Sequence, residues 1–193
     1  MIDPAWGPFL FDTSAESWLA RTTVAATEEW FRRYAERFPV HISAVTVMER
    51  TRGYALLWRR ESGERRRQIE SARIAYLRTL GQVWPVDAAI AMVAGEIMAL
   101  LPQPPTPVKH SHKFTESRQE RLTRWRFDAM IAATALVTRM PLVHNNAGDF
   151  EAIRGAVEID PARFPGLGPL ELLRCGGLTE AKMGTKSLHS HGA

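Results

Sequence analysis

Residues 126–150 read RFDAMIAATALVTRMPLVHNNAGDF. Met130, Ala133 and Val137 recur at helical spacing, and Phe127, Ile131 and Ala135 form an adjacent stripe. Apolar residues therefore cover most of the circumference of a helix that is expected to begin at Asp128 and to be buried. Ala129, Ala132, Ala133 and Ala135 are small enough for a sheet to approach closely. Pro141 ends the helix. Leu142 and Val143 then read as a short buried strand, and Asn146–Phe150 as a turn leading away from it. This helix–strand hinge carries two acids, Asp128 and Asp149, that packing does not require.

Working outward, the same alternation recurs. PFLFDT (residues 8–13) is a short buried strand running into Asp12, with Thr13 and Ser14 placed to cap the next helix. Ser17–Phe38 is expected to be one helix, with Phe31, Tyr34 and Phe38 spaced as a core stripe. Val40–Ser43 is a second strand, and Ser43 opens a helix bearing Glu49 in its early turns. A basic hairpin comes next, with Arg59, Arg60, Arg65, Arg66 and Arg67 around Ser62 and Gly63. Val83–Val86, which contains Pro85, reads as at most a very short edge strand. Asp87 caps a further apolar helix. A proline-rich and then basic insert spans Pro102–Arg126. Val157–Ile159 is expected to be the last strand, with a short helix at Leu170–Leu173. Strands alternating with helices argue for an α/β three-layer sandwich: a central, mostly parallel sheet with helices on both faces. The domain is expected to span residues 1–160. Residues 161–193, ending in the polar KMGTKSLHSHGA, read as a flexible C-terminal extension.

The composition is that of an ordinary globular protein: 193 residues, 45% hydrophobic and 24% charged. No run approaches the roughly 18 apolar residues needed to span a bilayer, and the N-terminus lacks the pattern of a secretory signal. The single cysteine, Cys175, excludes an intramolecular disulfide and fits a reducing, cytoplasmic compartment. The formal charge of +4 is compatible with a polyanionic partner. The chain has no P-loop, no dinucleotide-binding glycine pattern and no serine nucleophile elbow.

Four acids share a peculiarity of position. Asp12 ends the first strand, Glu49 follows the second, Asp128 precedes the strand at Leu142, and Asp149 follows it. In a parallel sheet, sites lie beyond the carboxyl ends of the strands, where several of these acids can meet. Clustered carboxylates raise one another's pKa unless a cation sits among them, and the hard cations that prefer oxygen are Mg²⁺ and Mn²⁺. Each acid alone also has a structural reading. Asp12 and Asp128 fit helix caps, Asp149 fits a turn, and Glu49 fits a solvated residue beside Arg50 or Arg52.

FLFDTS (residues 9–14), ISAVTVMERTRG (residues 42–53) and FDAMIAATALVTRMPLVHNNAGDF (residues 127–150) resemble the three acidic blocks of the PIN-domain family, and most closely the VapC-type toxins of bacterial toxin–antitoxin pairs. The third block is the most specific, because helix, turn, strand and terminal Asp-Phe match together. The resemblance implies a small α/β sandwich and a Mg²⁺- or Mn²⁺-dependent endoribonuclease. Asp12, Glu49, Asp128 and Asp149 would be its catalytic and metal-site acids, with Thr13, His144 and Asn146 supporting them. It also implies an RNA substrate, a small antitoxin protein that blocks the site, and a homodimer. His144 stands where the family usually has Thr or Ser, and either hydrogen-bonds an acid or phosphate in the hydroxyl's place or weakens the site. A reading from another class is a PIN-fold RNA- or protein-binding module whose site no longer cuts.

Several other features have two readings each. Arg65, Arg66 and Arg67 either track an RNA backbone or solvate a helical hairpin. Tyr54, Leu57 and Trp58 form a partner patch or, as core packing favours, an internal contact. Glu96 is an extra site acid or an edge residue. His110 and His112, one residue apart, lack the second cluster that a metal site needs.

Overall fold

The computed structural model describes residues 2–108, 110–111 and 114–179. A short 3-10 turn at Pro4–Trp6 leads into β1 (Leu10–Phe11), α1 (Thr13–Leu19), α2 (Ala25–Ala35), β2 (His41–Ser43), α3 (Ala44–Arg60), α4 (Gly63–Arg78), β3 (Gln82–Trp84) and α5 (Ala88–Leu100). Beyond these lie β4 (His110–Ser111), β5 (Phe114–Thr115), α6 (Arg118–Thr138), β6 (Leu142–His144), α7 (Ala147–Ile159) and β7 (Leu172–Arg174). The five strands β3-β2-β1-β6-β7 form a sheet in that order, and every pairing in it is parallel. β4 and β5 make a separate antiparallel hairpin.

The register explains the layers. Leu10 is level with Leu142, and Leu142 with Leu172; Phe11 is level with Val143, and Val143 with Leu173. Successive strand residues face opposite sides. The leucine row therefore packs with Ile90, Ile97, Ala129, Ala132, Phe150 and Ile153 from α5, α6 and α7. The Phe11 row packs with Ala15, Trp30 and Tyr34 from α1 and α2. Tyr34 lies at the centre of the second layer, stacked on Phe9 and Trp30, and its hydroxyl accepts the Phe9 N–H at 3.1 Å. Trp30 and Tyr34 are buried and Phe31 and Phe38 pack against the same cluster, so the aromatic stripe is core.

The expected sandwich is present, but several boundaries differ. The helix expected over Ser17–Phe38 is two helices, interrupted after Leu19 and resumed at Ala25. Thr22, Thr23 and Val24 lie in the break, and β-branched side chains resist the helical backbone. α6 begins ten residues before Asp128, at Arg118. Its start is fixed by a capping box: Glu120 N–H donates to Ser117 Oγ at 3.1 Å, and Ser117 N–H to Glu120 Oε2 at 2.9 Å. Much of the basic part of the insert is thus helix rather than loop.

The expected strand at Val157–Ile159 is instead the end of α7. Phe150, Ile153 and Val157 recur at helical spacing and bury one face against the core. The expected short helix at Leu170–Leu173 is replaced by β7, which pairs with β6. Leu172 and Leu173 there pack on opposite layers, as a strand requires. The sheet is thus completed beyond residue 160: Phe164, Leu170, Cys175 and Leu178 are all buried, and Ile2 N–H donates to Leu178 O at 3.1 Å. The polar end from residue 180 lies outside the described residues.

Leu178 decides whether this last segment belongs to the fold. Its side chain is 0% exposed, so Leu178→Ala should cost about 2–5 kcal/mol in urea unfolding. A change within about 0.5 kcal/mol would instead describe a detached segment.

Candidate active site

All strands of the main sheet point the same way, so their carboxyl ends form one edge. Asp12 follows β1 directly and caps α1, accepting Ala15 N–H at 2.6 Å and the Ser14 hydroxyl at 2.8 and 2.9 Å. Ser43, the last residue of β2, caps α3, whose second turn carries Glu49; the Thr13 hydroxyl donates to Glu49. Thr134 of α6 lies against Ser43, with their hydroxyl oxygens 3.2 Å apart. α6 runs antiparallel to the strands, so Asp128, six residues earlier, lies roughly 9 Å further along the axis, beyond the strand ends. Asp149 is in the first turn of α7, just after β6. Asn146 ties the last two together, its side-chain amide donating to Asp128 Oδ2 at 3.0 Å and Asp149 Oδ2 at 2.9 Å.

Asp12, Asp128 and Asp149 are buried. Burial, with Glu49 nearby, pushes the Asp12 carboxyl up to about 6 against the hydrogen bonds from Ala15 and Ser14. Asp128 is raised well above the carboxylate range, first by burial and then by Asp149, Glu49 and Asp12. Glu49 is raised by burial, opposed by the Thr13 hydroxyl and by Arg124 and Arg52. Asp128 feels all three other acids. Its place inside α6 also removes the capping role that the sequence left open.

Two arginines counter the charge, and neither stands out in the sequence. Arg121, Arg124 and Asp128 are spaced i, i+3 and i+7 and so lie on one stripe of α6. Arg121 is buried, and its Nη2 donates to Asp149 Oδ1 at 2.5 Å. Arg124 makes two 2.8 Å bonds to Glu116 and reaches Asp149 Oδ2 at 3.5 Å. The proline-rich loop holds the arrangement through Thr106. Its carbonyl accepts Arg121 Nε–H at 2.8 Å, and its hydroxyl accepts from Arg121 Nη2 at 2.7 Å while donating to Asp149 Oδ1 at 2.9 Å. Gly148 permits this approach, because a Cβ there would come within 2.4 Å of Thr106 Cγ2. The i, i+3, i+7 spacing is the available sequence signal. A helix starting at Asp128 hides it, because both arginines then fall outside the helix.

The donor set is all oxygen and suits a hard divalent ion in kind. Among the described residues, however, no three His, Cys, Asp or Glu side chains gather closely enough to hold a metal as they stand. The carboxylates interact through space without closing on one point. A cleft of about 300 Å³ opens beside them, lined by Glu49, Arg52, Glu116, Glu120, Thr123, Arg124 and Phe127.

Other expected residues are distributed differently. Thr13 and Asn146 touch the acids as described. His144 does not: it is buried edge-on against Phe150, 5.1 Å between ring centres, and neither ring nitrogen has a hydrogen-bond partner among the described residues. Leu142 and His144 share a strand face, which turns the ring into the α7 layer, and burial lowers its pKa to about 4. Among the described residues, the bond to an acid expected of His144 is therefore absent. Arg65, Arg66 and Arg67 are on the first turn of α4, at the far end of the hairpin from Glu49. Arg65 meets Gln68, Arg66 stacks on Trp58 at 4.2 Å, and Arg67 pairs with Glu64 at 2.6 Å. Leu57 and Trp58 are 49% and 40% exposed, against the expectation of core packing. Glu96 is not at the site and pairs with Arg163 on the surface at 2.9 Å. His112 and the side chain of His110 lie outside the described residues.

The PIN domain sequence profile matches residues 9–156. Solved structures similar in fold include VapBC2 from Rickettsia felis bound to a promoter DNA fragment, with 16% identity and a TM-score of 0.55, covering 86% of this chain and 97% of that one. DNA-bound VapBC from Salmonella typhimurium gives 22% identity and a TM-score of 0.54 over 86% and 97%. VapBC-1 from nontypeable Haemophilus influenzae gives 15% and 0.55 over 87% and 98%. No curated protein matches the chain in sequence.

The raised pKa of Asp12 has a definite sign. A carboxyl at about 6 when folded, and near 4 when unfolded, favours the fold below pH 4 and loses that contribution as the pH rises through 6. Asp12→Asn removes this dependence and keeps a competent cap for α1. In EDTA, the variant should match wild type near pH 4 and be more stable at pH 7, by at most about 3 kcal/mol. A deficit of the same size at both pH values in thermal melts would describe a cap and nothing more.

Proposed function

We propose, from the premise that the chain belongs to the PIN domain family, that it is a Mg²⁺- or Mn²⁺-dependent endoribonuclease and the toxin of a toxin–antitoxin pair. What supports this reading is that Asp12, Glu49, Asp128 and Asp149 lie along the carboxyl edge of the sheet, with Asp128 buried in a helix interior where it has no capping role. Bound among these carboxylates, one or two divalent ions would lower the pKa of a water and stabilise charge on the phosphoryl group. The residues supply position and proton transfer. Ser14 and the α1 N-terminus fix the Asp12 carboxylate, Thr13 fixes Glu49, and Asn146 fixes Asp128. In hydrolysis a water oxygen bonds to phosphorus, the P–O3′ bond breaks, the water proton passes to a carboxylate, and the departing O3′ takes a proton from solvent to leave as a hydroxyl.

RNA reaches the site along basic surface. Arg52 and Arg124 line the cleft beside Glu49, and Arg65, Arg66 and Arg67 extend the positive surface along the α3–α4 hairpin. Arg60 lies about 16 Å along the axis of α3 from Glu49, so the cluster engages backbone phosphates away from the cut. Leu56, Leu57 and Trp58 on α3, with Ile74 and Leu77 on α4, are exposed apolar side chains that fit an antitoxin or a second copy in a homodimer. Among the described residues no helix is long and apolar enough to cross a membrane, and we assign the protein to the cytoplasm.

The Arg121–Asp149 pair favours a second reading, in which the site binds RNA or protein without cutting. Cleavage of RNA that requires Mg²⁺ or Mn²⁺ and stops with EDTA separates the two. Asp128→Asn should lower that cleavage at least about a hundredfold at an unchanged fold. Binding without cleavage in the wild type would establish the second reading.

Replacing Arg65, Arg66 and Arg67 with Gln should flatten the dependence of RNA affinity on salt, by about 0.7 in log–log slope for each phosphate that the variant no longer engages. An unchanged slope would make the cluster a solvated hairpin.

A further inference from the structure

We propose that the cleft beside Glu49 is a nucleobase subsite that takes one unpaired guanine, read by Glu120 and Thr123 of α6. The proposal rests on the RNA-directed reading above and names the base that this cleft prefers. Two helix stripes wall the cleft. Glu120, Thr123, Arg124 and Phe127 are spaced i, i+3, i+4 and i+7 on α6, and Glu49 and Arg52 are i and i+3 on α3. The volume of about 300 Å³ is at the small end for a ligand site, enough for one nucleotide and too little for a duplex. Phe127 is half-buried and packed on the core, and it offers an aromatic ring for a base to stack on.

The polar groups of α6 select the base. Of the acids in the cleft wall, Glu49 accepts from the Thr13 hydroxyl and Glu116 from Arg124 through two 2.8 Å bonds, which leaves Glu120 to meet a ligand. The capping box holds Glu120 in place: its Oε2 accepts the Ser117 N–H at 2.9 Å and the Ser117 hydroxyl at 2.8 Å. Its Oε1 has no partner among the described residues. Thr123 Oγ1 gives its one proton to the Gln119 carbonyl at 2.9 Å, so towards a ligand it can only accept. Both side chains therefore present acceptors and no donor. Guanine suits them, because its Watson–Crick edge carries two adjacent donors, N1–H and N2–H. Adenine and cytosine place a ring acceptor beside the amino group, and the one donor of uracil lies between two carbonyls, so each would set an acceptor against an acceptor. Across the cleft, Arg52 has no hydrogen bond or ion pair among the described residues. Its guanidinium is free for a backbone phosphate, which positions the strand without reading sequence.

The test uses the whole chain and short, labelled uridine tracts carrying one central guanosine, adenosine or cytidine, with affinity read by fluorescence anisotropy in EDTA. Wild type should bind the guanosine RNA at least about tenfold more tightly than the other two. Glu120→Gln keeps the capping box but turns one acceptor into an amide donor, and it should bring that preference within about threefold of unity. Thr123→Val leaves the capping box untouched and should lower the preference at least about threefold. Arg52→Gln should instead weaken all three RNAs alike and leave the preference unchanged, with the salt slope reduced by about 0.7. No guanosine preference in wild type, or one that survives both Glu120→Gln and Thr123→Val, would overturn the proposal, and cleavage of the same RNAs in Mn²⁺ would then still stand as nuclease activity. Guanosine preference lost in the two variants, with no cleavage in Mn²⁺, would keep the subsite and overturn the nuclease reading.

Discussion

Four carboxylates are held in one partly dehydrated corner of the sheet, and the surrounding structure is arranged around the resulting repulsion. Such groups stay ionised only if hydrogen bonds or cations compensate them. The compensation is uneven. Asp149 has Arg121, Arg124, Thr106 and Asn146, and Asp12 has Ser14 and the start of α1. Asp128 has the Asn146 amide and the more distant charge of Arg124 against three like charges.

The fold supplies this corner economically. Each main-sheet strand is two or three residues long, so the carboxyl edge lies almost directly above the core rows. Asp12 follows Phe11 at once, and Asn146 follows His144 by two residues. Rigid packing beneath the site is what allows the acids to be buried: Leu10, Leu142, Ala129 and Ala132 are inaccessible to solvent. The same packing places His144 away from the acids, in the α7 layer, because strand alternation fixes which face it occupies.

The proline-rich loop and the first three turns of α6 join the site from outside the acidic blocks. Thr106 and Arg121 are held close by Gly148, whose missing side chain lets the loop rest on the start of α7. The insert thereby becomes part of the electrostatics of the centre. Its basic helix also lines the cleft beside Glu49, so a single segment bears on both charge balance and access.

The sequence by itself determined the class of fold and drew attention to four acids near the strand ends, though not that Asp128 lies inside α6 or Asp149 in the first turn of α7. Strand–helix alternation, the small residues of α6 and the block ending at Asp149-Phe150 are local patterns that survive without knowledge of the packing. Some boundaries that differ from expectation are also local: the capping box at Ser117 and the helical spacing of Phe150, Ile153 and Val157 are present to be read. β7 is different, because Leu172 and Leu173 become a strand only by having an apolar layer on each side and β6 as a hydrogen-bonding partner. Only the tertiary structure decided the partner of Asp149. Arg121 is 28 residues from it in the chain, and a pairing at that separation is written in no local period; it arises from how α6 lies against α7.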